Sequence, residues 1–318
     1  MTARLLSSAE EIAASRHRWL EARAQPGIVT ASEMAAVMDL APEEYGSAYS
    51  VWTEKVFGPD YDAPPTPEME RGRHLEPVIA DMYETQAGEE LLPGGLWTND
   101  DRPYQAATLD RLDGDGKPVE IKSVASEEHR ERRRQWGERG TAVVPLHIRI
   151  QALWQMDVRD ADEVIIPALK MLPWRLDVYR LPRDGAAERD IKLMREAALE
   201  FNDLVARQEP PPLTWAPATA RAIKRLHPDV TDAEVRVPVR LARRRASLAQ
   251  RITELEHRKA QIDNELLARM GSARDAVALD GDGELRRVVR RIKTTRRAYS
   301  VPEGELDYLR AGNWRGES

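Results

Sequence analysis

The chain has no cysteine, few lysines and no long apolar run, and each shortage narrows the class of protein. With no cysteine among its 318 residues, it has no disulfide framework, no thiolate zinc site and no cysteine-ligated iron–sulfur cluster. No apolar run reaches the roughly 18 residues that a membrane span needs, and Leu5-Leu6 is too short for a signal-peptide core. We therefore expect a soluble cytoplasmic protein without a membrane segment.

Length and composition predict one sizeable core and a small second unit. Hydrophobic residues make up 42% of the chain, which suffices for a globular domain. The net charge of −6 does not exclude binding to a polyanion, because local basic patches matter more than the sum. Only 8 of the 48 basic residues are lysines, so a lysine at a chemically special position is more informative than an arginine would be.

The segment from Asp110 to Lys122, DRLDGDGKPVEIK, predicts a β-hairpin. We expect Gly114 and Gly116 to supply the positive φ angles of its turn. Side chains alternate across a strand, so the apolar residues after the turn should face one way while Glu120 and Lys122 face the other. One face of the hairpin is then apolar, and the other carries the side chains that could take part in catalysis.

Two carboxylates and a lysine on one face are what a metal-dependent phosphodiesterase needs. Mg²⁺ prefers oxygen ligands and is usually held by one or two carboxylates plus substrate phosphate, which Asp110 and Glu120 would satisfy. The ammonium of Lys122 would orient the nucleophile or stabilise charge on the phosphate. The alternative is an exposed hairpin whose Glu-x-Lys is only a solvated polar face.

Three further segments carry polar residues that suit the same site. Residues 69–83 have the apolar spacing of an amphipathic helix, which would aim the carboxylate of Glu76 at the hairpin. Near the N-terminus, a turn leads into a short helix whose first amides, with the hydroxyls of Thr30 and Ser32, would hold a phosphate or simply cap the helix. Residues 145–156 predict a mainly apolar helix in which Gln151 is either a satisfied core amide or a ligand to phosphate or water.

In this order the segments resemble the YqaJ-like viral recombinase (phage lambda exonuclease) family of the PD-(D/E)XK nuclease superfamily. The resemblance spans roughly residues 16–180. The matching elements are Gly27-Ile-Val-Thr-Ala-Ser32, Arg71-Gly72 with Glu76, Ala107-Thr-Leu-Asp110, Val119-Glu-Ile-Lys122, and Gln151 before Met156. It implies an α/β, restriction-endonuclease-like core with a central mixed sheet flanked by helices.

The resemblance also implies roles for individual residues. Asp110, Glu120 and Glu76 would bind Mg²⁺, with Mn²⁺ able to substitute, Lys122 would be the catalytic lysine, and Gln151 would complete the site. Ser32 and Thr108 match positions of a pocket for a terminal 5′-phosphate.

Two departures from the family pattern affect the residue roles that the resemblance implies. The family's Pro-Asp-Gly is Leu109-Asp110-Arg111 here, which reshapes the turn after the aspartate but keeps the acid. Gln25 stands where an arginine pairs with the 5′-phosphate in related enzymes. Arg23 lies two residues away, and Arg73, near Glu76, is a further candidate for binding DNA.

A cluster of arginines follows the Glu-x-Lys strand. Residues 130–139 contain five arginines around Trp136. We expect Arg132 and Arg133 to neutralise phosphates and Trp136 to stack on a frayed base. The alternative is a solvated helix face with one anchoring tryptophan.

The remaining sequence predicts the end of the sheet and an appendage. Residues 163–169 and 174–179 predict strands, a helix follows near 185–208, and the prolines at 210–212 end the exonuclease-like domain of residues 1–209. We expect a proline-rich linker with a short helix over 210–234. Residues 235–318 should form a long heptad-patterned helix, a basic β-hairpin and a C-terminal helix.

The appendage has two open interpretations. Leu241, Leu248, Leu255 and Ile262 recur every seven residues, but Arg245 and Lys259 interrupt the companion positions, which favours a helical hairpin or a helix laid against the nuclease over an independent coiled coil. A homo-oligomer contact stays open. Residues 283–297 hold seven basic residues and one acid, which indicates a DNA-holding arm or a charged edge strand.

The function that we predict is Mg²⁺-dependent exonuclease digestion of linear double-stranded DNA from its free ends, 5′ to 3′, in homologous recombination of a phage or prophage. The resemblance further implies a trimer and a single-strand annealing protein as partner. The alternatives are an endonuclease of the same superfamily and a non-catalytic DNA-binding module of the same fold.

Overall fold

The computed structural model describes residues 3–124, 135–171 and 174–293, and it divides the chain into two units with the boundary between Val230 and Thr231. In the first unit the described strands are β1 (Ala3–Ser8), β2 (Val29–Thr30), β3 (Leu92–Asn99), β4 (Arg102–Leu112), β5 (Pro118–Val119), β6 (Lys122–Val124), β7 (Glu163–Met171) and β8 (Trp174–Pro182). Its described helices are α1 (Ala9–Ala14), α2 (Arg16–Ala24), α3 (Ala31–Val37), α4 (Ala48–Phe57), α5 (Pro67–Ala87), α6 (Leu146–Arg159), α7 (Gly185–Ala206) and α8 (Pro217–Leu226).

The eight strands form one mixed sheet. Its order is β1-β3-β4-β5-β7-β6, with β2 parallel to β4 and β8 antiparallel to β7. Strands β5 and β6 both run parallel to β7 and keep one register, because Val119 pairs with Ile165 and Lys122 with Ala168. They therefore act as one strand that is interrupted only at residues 120–121.

Helices cover both faces of the sheet, as predicted. On one face, α5 contributes Ile79 and Tyr83 to a core that includes Val119 and Ile121. On the other face, α3, α6 and α7 pack into a larger core around the fully buried Trp154. The mixed central sheet flanked by helices confirms the predicted α/β fold class.

Local sequence explains where α5 begins and ends. Thr66 accepts a hydrogen bond from the amide of Met69, Pro67 occupies the first turn, and Gly88 ends the helix in the left-handed conformation at φ 72°. The predicted amphipathic spacing is confirmed for Ile79 and Tyr83, which are buried. Met69 differs, since its side chain is exposed.

The structure ends the first unit later than the sequence suggested. The proline run at 210–212 is followed by α8, which packs on α4, and the Thr219 hydroxyl hydrogen bonds to the Ser47 hydroxyl at 2.8 Å. Both side chains are buried. Residues 210–230 are therefore part of the first unit, and the segment predicted as a linker is only partly one.

Over its described residues, 231–293, the second unit contains one long helix, α9 (Val239–Met270), followed by an antiparallel hairpin of β9 (Asp275–Leu279) and β10 (Leu285–Arg290). The long helix and the basic hairpin were predicted, whereas the expected C-terminal helix lies outside the described residues. No helix in the described ranges is long and apolar enough to cross a bilayer.

Candidate active site

The predicted hairpin forms and carries its acids as expected. Strands β4 and β5 pair through Arg111 and Val119, and the turn closes with a hydrogen bond from the amide of Asp113 to the carbonyl of Lys117. Gly116 has a φ of 80°, but Gly114 is not in the positive-φ region, so that part of the turn prediction was wrong. The side chain of Asp113 replaces it as the turn's organiser by accepting two backbone hydrogen bonds.

Glu120 lies at the interruption between β5 and β6 and is 2% exposed. One carboxylate oxygen accepts from Gln151 Nε2 at 2.6 Å, and the other accepts from Gln155 Nε2 at 2.5 Å. Both glutamines project from α6, one helical turn apart, so the helix fixes the carboxylate from one side. The prediction that Glu120 and its apolar neighbours face opposite sides of the sheet is confirmed.

Lys122 opens β6 and meets Glu120 on the same face. Its Nζ lies 2.5 Å from Glu120 Oε1 and donates to Gln151 Oε1 at 3.0 Å. Burial alone would lower the pKa of Lys122, but the carboxylates of Glu120 and Asp110 outweigh it and raise that pKa above its usual value. Lys122 is therefore a positively charged ammonium held beside two acids.

Asp110 completes this group from the end of β4. Its Oδ2 accepts from the amide of Ile121 at 2.8 Å, which ties it to the strand interruption. The pKa of Asp110 is raised well above its usual range, first because the side chain is desolvated and then because Glu120 and Glu76 place negative charge nearby. A cation bound beside these carboxylates would offset their negative charge.

Glu76 reaches the same region from α5. Its Oε1 lies 2.6 Å from Arg111 Nη1, and Arg111 also donates to the carbonyl of Asp110. Arg111 therefore offsets the negative charge of Glu76. Among the described residues no group of three or more histidines, cysteines, aspartates and glutamates is placed to hold a metal ion by itself.

The remaining donor set still fits a divalent cation of the Mg²⁺ type. Asp110 and Glu120 offer oxygen ligands on one face, and Mg²⁺ commonly takes one or two carboxylates and completes its shell with water and substrate phosphate. Glu76 joins the ligands only if Arg111 moves off its carboxylate. Asp110 and Glu120 are thus the residues that would hold the cation.

A cleft of about 400 Å³ opens beside these residues. It connects Lys122 and Gln151 with Ser32 on α3 and with Arg71 on α5. The Nε of Arg71 is buried and has no hydrogen-bond partner among the described residues. The cleft is the route by which a phosphodiester would reach Lys122.

A second polar cluster lies at one edge of this cleft. Arg23 on α2 donates from Nη2 to Ser32 Oγ at 2.8 Å, and its guanidinium stacks on Trp19, 4.5 Å from the ring centroid. Trp19 Nε1 in turn donates to Thr108 Oγ1 at 3.1 Å. The structure therefore links Ser32 to Thr108 through Arg23 and Trp19, whereas Gln25 is an exposed helix cap.

Thr30 is closer to the capping alternative than to a phosphate ligand. It is 1% exposed and precedes α3, and its amide donates to Glu33 Oε2 at 2.8 Å. Glu33 is itself buried against Lys55, 2.9 Å away. The Thr30 amide is therefore used within the fold, and the Thr30 hydroxyl lies 3.4 Å from Ser32 Oγ.

The remaining predicted DNA contacts have mixed outcomes. Arg73 is exposed on α5 and does not line the cleft. Trp136 is only 9% exposed and packs on Tyr179 with ring centroids 4.9 Å apart, so it is a core residue and not the exposed stacking platform that we expected. Arg132 and Arg133 lie outside the described residues.

Sequence reasoning missed several residues that the structure brings to the site. Gln155 follows Gln151 by one helical turn, and Trp19 precedes Arg23 by one turn, so helical spacing was the usable indication in both cases. Arg71 belonged to a recognised motif but was not assigned a role. The pairing of Arg111 with Glu76 joins positions 35 apart and has no local indication.

Comparison with known proteins gives one family match. Residues 18–162 match the family model described as the YqaJ-like viral recombinase domain, and this range contains all of the clustered acids, Lys122 and Gln151. A search of curated proteins found no match.

Solved exonuclease structures share only distant similarity with the chain. The alkaline exonuclease LHK-Exo from Laribacter hongkongensis is 23% identical, with a TM-score of 0.48 over 60% of this chain and 95% of that one, and LHK-Exo in complex with dAMP gives 0.49 at the same identity and coverage. A phage-related exonuclease from Haemophilus somnus 129PT is 13% identical, with a TM-score of 0.39 over 57% of this chain and 96% of that one.

Residues 18–162 of the first unit are therefore similar to the YqaJ-like viral recombinase domain, and this match covers less than half of the chain.

Proposed function

We propose that this protein is a divalent-metal-dependent exonuclease that digests linear double-stranded DNA from its 5′ ends. The observation that carries the proposal is the contact group of Glu120, Lys122 and Gln151 beside Asp110, in which Lys122 and Gln151 line a cleft that a phosphodiester would enter. Placing two buried or half-buried acids and a charged lysine at a cleft contributes little to the stability of the fold. They are the groups that phosphodiester hydrolysis requires.

Hydrolysis forms a bond between a water oxygen and phosphorus and breaks the bond from phosphorus to the 3′ oxygen. Mg²⁺ or Mn²⁺ held by Asp110 and Glu120 would supply positive charge at the phosphate and make the attacking water more acidic. In the metal-free structure the carboxylates of Glu120 and Asp110 raise the pKa of Lys122, and as an ammonium it would stabilise negative charge on the phosphate oxygens. Gln151 holds both the lysine and Glu120 in place.

The cluster of Arg23, Ser32 and Thr108 supports recognition of a 5′-phosphate. A guanidinium and hydroxyls are common partners of phosphate oxygens, and Arg23 is already oriented by Ser32 and by the ring of Trp19. Arg23 would then pair with the 5′-phosphate, which the uncharged side chain of Gln25 cannot neutralise. Cleavage of the P–O3′ bond leaves a new 5′-phosphate on the next nucleotide, which is the group this cluster would bind next.

Other parts of the proposed function depend on the family assignment. They are action in phage or prophage recombination in the host cytoplasm, cooperation with a single-strand annealing protein, and assembly into a trimer through the first unit. Each is a proposal that follows from the YqaJ-like domain and not from a contact in this chain.

The test compares linear duplexes bearing 5′-phosphate or 5′-hydroxyl ends with covalently closed circles, each with Mg²⁺, with Mn²⁺ and with EDTA. We expect metal-dependent loss of linear DNA only, faster with a 5′-phosphate. Cutting of closed circles would instead identify an endonuclease. Absence of hydrolysis with either metal, while DNA still binds, would identify a non-catalytic binding module.

A further inference from the structure

The second unit buries very little of its own apolar surface. Among its described residues, 231–293, only Met270 is buried. An isolated two-stranded hairpin is marginal in water, and a helix in a protein draws most of its stability from packing of its apolar face. The 32 residues of α9 therefore need a partner along their length.

The apolar face of α9 is a narrow heptad stripe. Leu248, Leu255 and Ile262 continue the seven-residue spacing that starts at Leu241, and Leu255 is 60% exposed. Ile252 and Leu266 lie four residues after Leu248 and Ile262, which makes them the a positions of a heptad whose d positions are the stripe above. A stripe of a and d residues over more than three heptads is the seam of a coiled coil.

Charges beside the stripe identify the partner. With this assignment, Arg251 and Arg258 occupy g positions, and Glu256 and Asp263 occupy e positions. In a parallel pair each g residue faces the e residue five positions later in the other helix, so Arg251 meets Glu256 and Arg258 meets Asp263. The pattern is thus complementary to itself.

An antiparallel pair does not give the same complementarity. There, g residues face g residues, and at full overlap Arg251 of each helix lies opposite Arg258 of the other. We propose that α9 is a homodimerisation surface, which joins two copies of this chain as a parallel, two-stranded coiled coil. Leucine at most d positions and Ile252 at an a position favour two strands.

The two basic a positions lower the stability of the seam without preventing it. Lys259 Nζ lies 2.6 Å from Asp263 of its own helix, so its charge is met locally, and its apolar stem can cover the seam. Arg245 lies toward the N-terminal end of the stripe, where its long side chain can reach solvent. Polar a residues restrict register and the number of strands at a cost in stability.

Because the chain contains no cysteine, single cysteines report the geometry in the full-length protein. In a parallel pair, identical d positions face each other. Under a mild oxidant, Leu248→Cys and Ile262→Cys should therefore each cross-link to their own copies, shifting the band on a non-reducing gel from 36.0 kDa to twice that mass. His257→Cys, on the outward face of the same helix, is the matched control and should stay monomeric.

Two outcomes overturn the proposal. One is that neither seam variant cross-links above the His257→Cys control. The other is that Leu248→Cys and Ile262→Cys cross-link only when mixed with each other, since that is the result of antiparallel pairing. Assembly through the first unit alone produces the first outcome, so the test separates the two kinds of oligomer.

Charge exchange tests the pairing itself. In a Leu248→Cys background, the double change Arg251→Glu with Arg258→Glu should lose self-cross-linking, because acids then face Glu256 and Asp263. Mixing with a Leu248→Cys chain that carries Glu256→Arg and Asp263→Arg should restore it. Unchanged self-cross-linking of the first chain would contradict the proposed salt bridges and with them the parallel register.

Discussion

At the scale of single residues, the site depends on charges that hold one another in place. Glu120 and Asp110 raise the pKa of Lys122 although burial opposes this, and Gln151 bonds to both the lysine and Glu120. Removing one member therefore changes the charge of the group while the surrounding backbone, fixed by sheet pairing, stays in place.

Lys122→Ala should slow DNA hydrolysis by about 10²–10⁴-fold while DNA affinity stays nearly unchanged, because the lysine acts on charge that develops during reaction. Lys117→Ala is the matched control, since that lysine pairs with Asp162 at 3.1 Å on the hairpin turn. Single-turnover rates and a binding titration measure the two effects. Hydrolysis at the original rate in the Lys122 variant would remove it from the catalytic group.

Arg23→Ala should reduce the preference for 5′-phosphorylated over 5′-hydroxyl ends by about 10–100-fold, the equivalent of one charge-assisted hydrogen bond. Gln25→Ala should leave the preference unchanged, because Gln25 is exposed at the end of α2. Initial rates on the two kinds of end give the ratio. A loss of preference in the Gln25 variant alone would contradict the assignment.

At the scale of secondary-structure elements, α6 links the site to a buried ion network. Its middle supplies Gln151 and Gln155. Two residues after Gln155, the fully buried Asp157 pairs with Arg183 and Arg195 from the β8–α7 region. Burial raises the pKa of Asp157, but hydrogen bonds from Arg195 and Gln105 outweigh it, so the pKa is lowered.

Asp157→Asn should destabilise the first unit by about 1–3 kcal/mol, because it removes the buried carboxylate that pairs with the partly buried Arg183 and Arg195. A carboxyl whose pKa is lowered by folding stabilises the protein above its unfolded pKa of about 3.9, and this stabilisation is lost as pH falls through the folded value. Urea unfolding should therefore show a large difference at pH 7 that shrinks toward acid pH. The control is Asp190→Asn at the exposed pair with Arg149, which should cost about 0–1 kcal/mol; equal losses in both variants would contradict a structural role for the network.

Where β3 pairs with β4 beside Asp110, the backbones leave no room for a side chain at Gly94. A Cβ at Gly94 would overlap the backbone carbonyl of Leu109, whereas a Cβ at Gly114 would meet nothing within 4 Å. Gly94→Ala should lower stability by about 1–3 kcal/mol and reduce hydrolysis, because the strand that carries Asp110 must shift. Thermal unfolding and rate measurements compare it with Gly114→Ala, which we expect to behave like the parent; a fully active, stable Gly94→Ala protein would show that the strands yield.

At the scale of the whole molecule, the two units have different physical characters. The first unit has two hydrophobic cores and contains all of the clustered site residues. In the second, the hairpin arginines are partly neutralised, since Arg286 pairs with Asp280 and Arg290 with Asp275. Its role in holding DNA is therefore a proposal that depends on the remaining positive charge.

A chain ending at Val230 should still hydrolyse DNA ends but bind DNA with a weaker dependence on salt. The slope of log affinity against log salt should fall by about 0.9 for every phosphate that the hairpin neutralises. A full-length chain with Arg286, Arg287 and Arg291 changed to alanine separates the hairpin's charge from the effect of α9. An unchanged slope in both proteins would show that the hairpin does not hold DNA.

Short-range patterns in the sequence were enough to predict the hairpin and the acids on it. Asp110, Glu120 and Lys122 lie within one hairpin, and strand alternation alone puts the last two on one face. The long helix α9 followed in the same way from its seven-residue repeat. These features depend on residues close in sequence, so their geometry is largely local.

Only the tertiary structure decided which distant residues join them. Trp19 meets Thr108 across 89 positions, and Arg111 meets Glu76 across 35, because the order of strands in the sheet brings their elements together. Tertiary packing also buried Trp136, although the arginine-rich segment around it had suggested exposure. Such contacts depend on which elements pack against one another, and that is set by the free energy of the whole core and by no single segment.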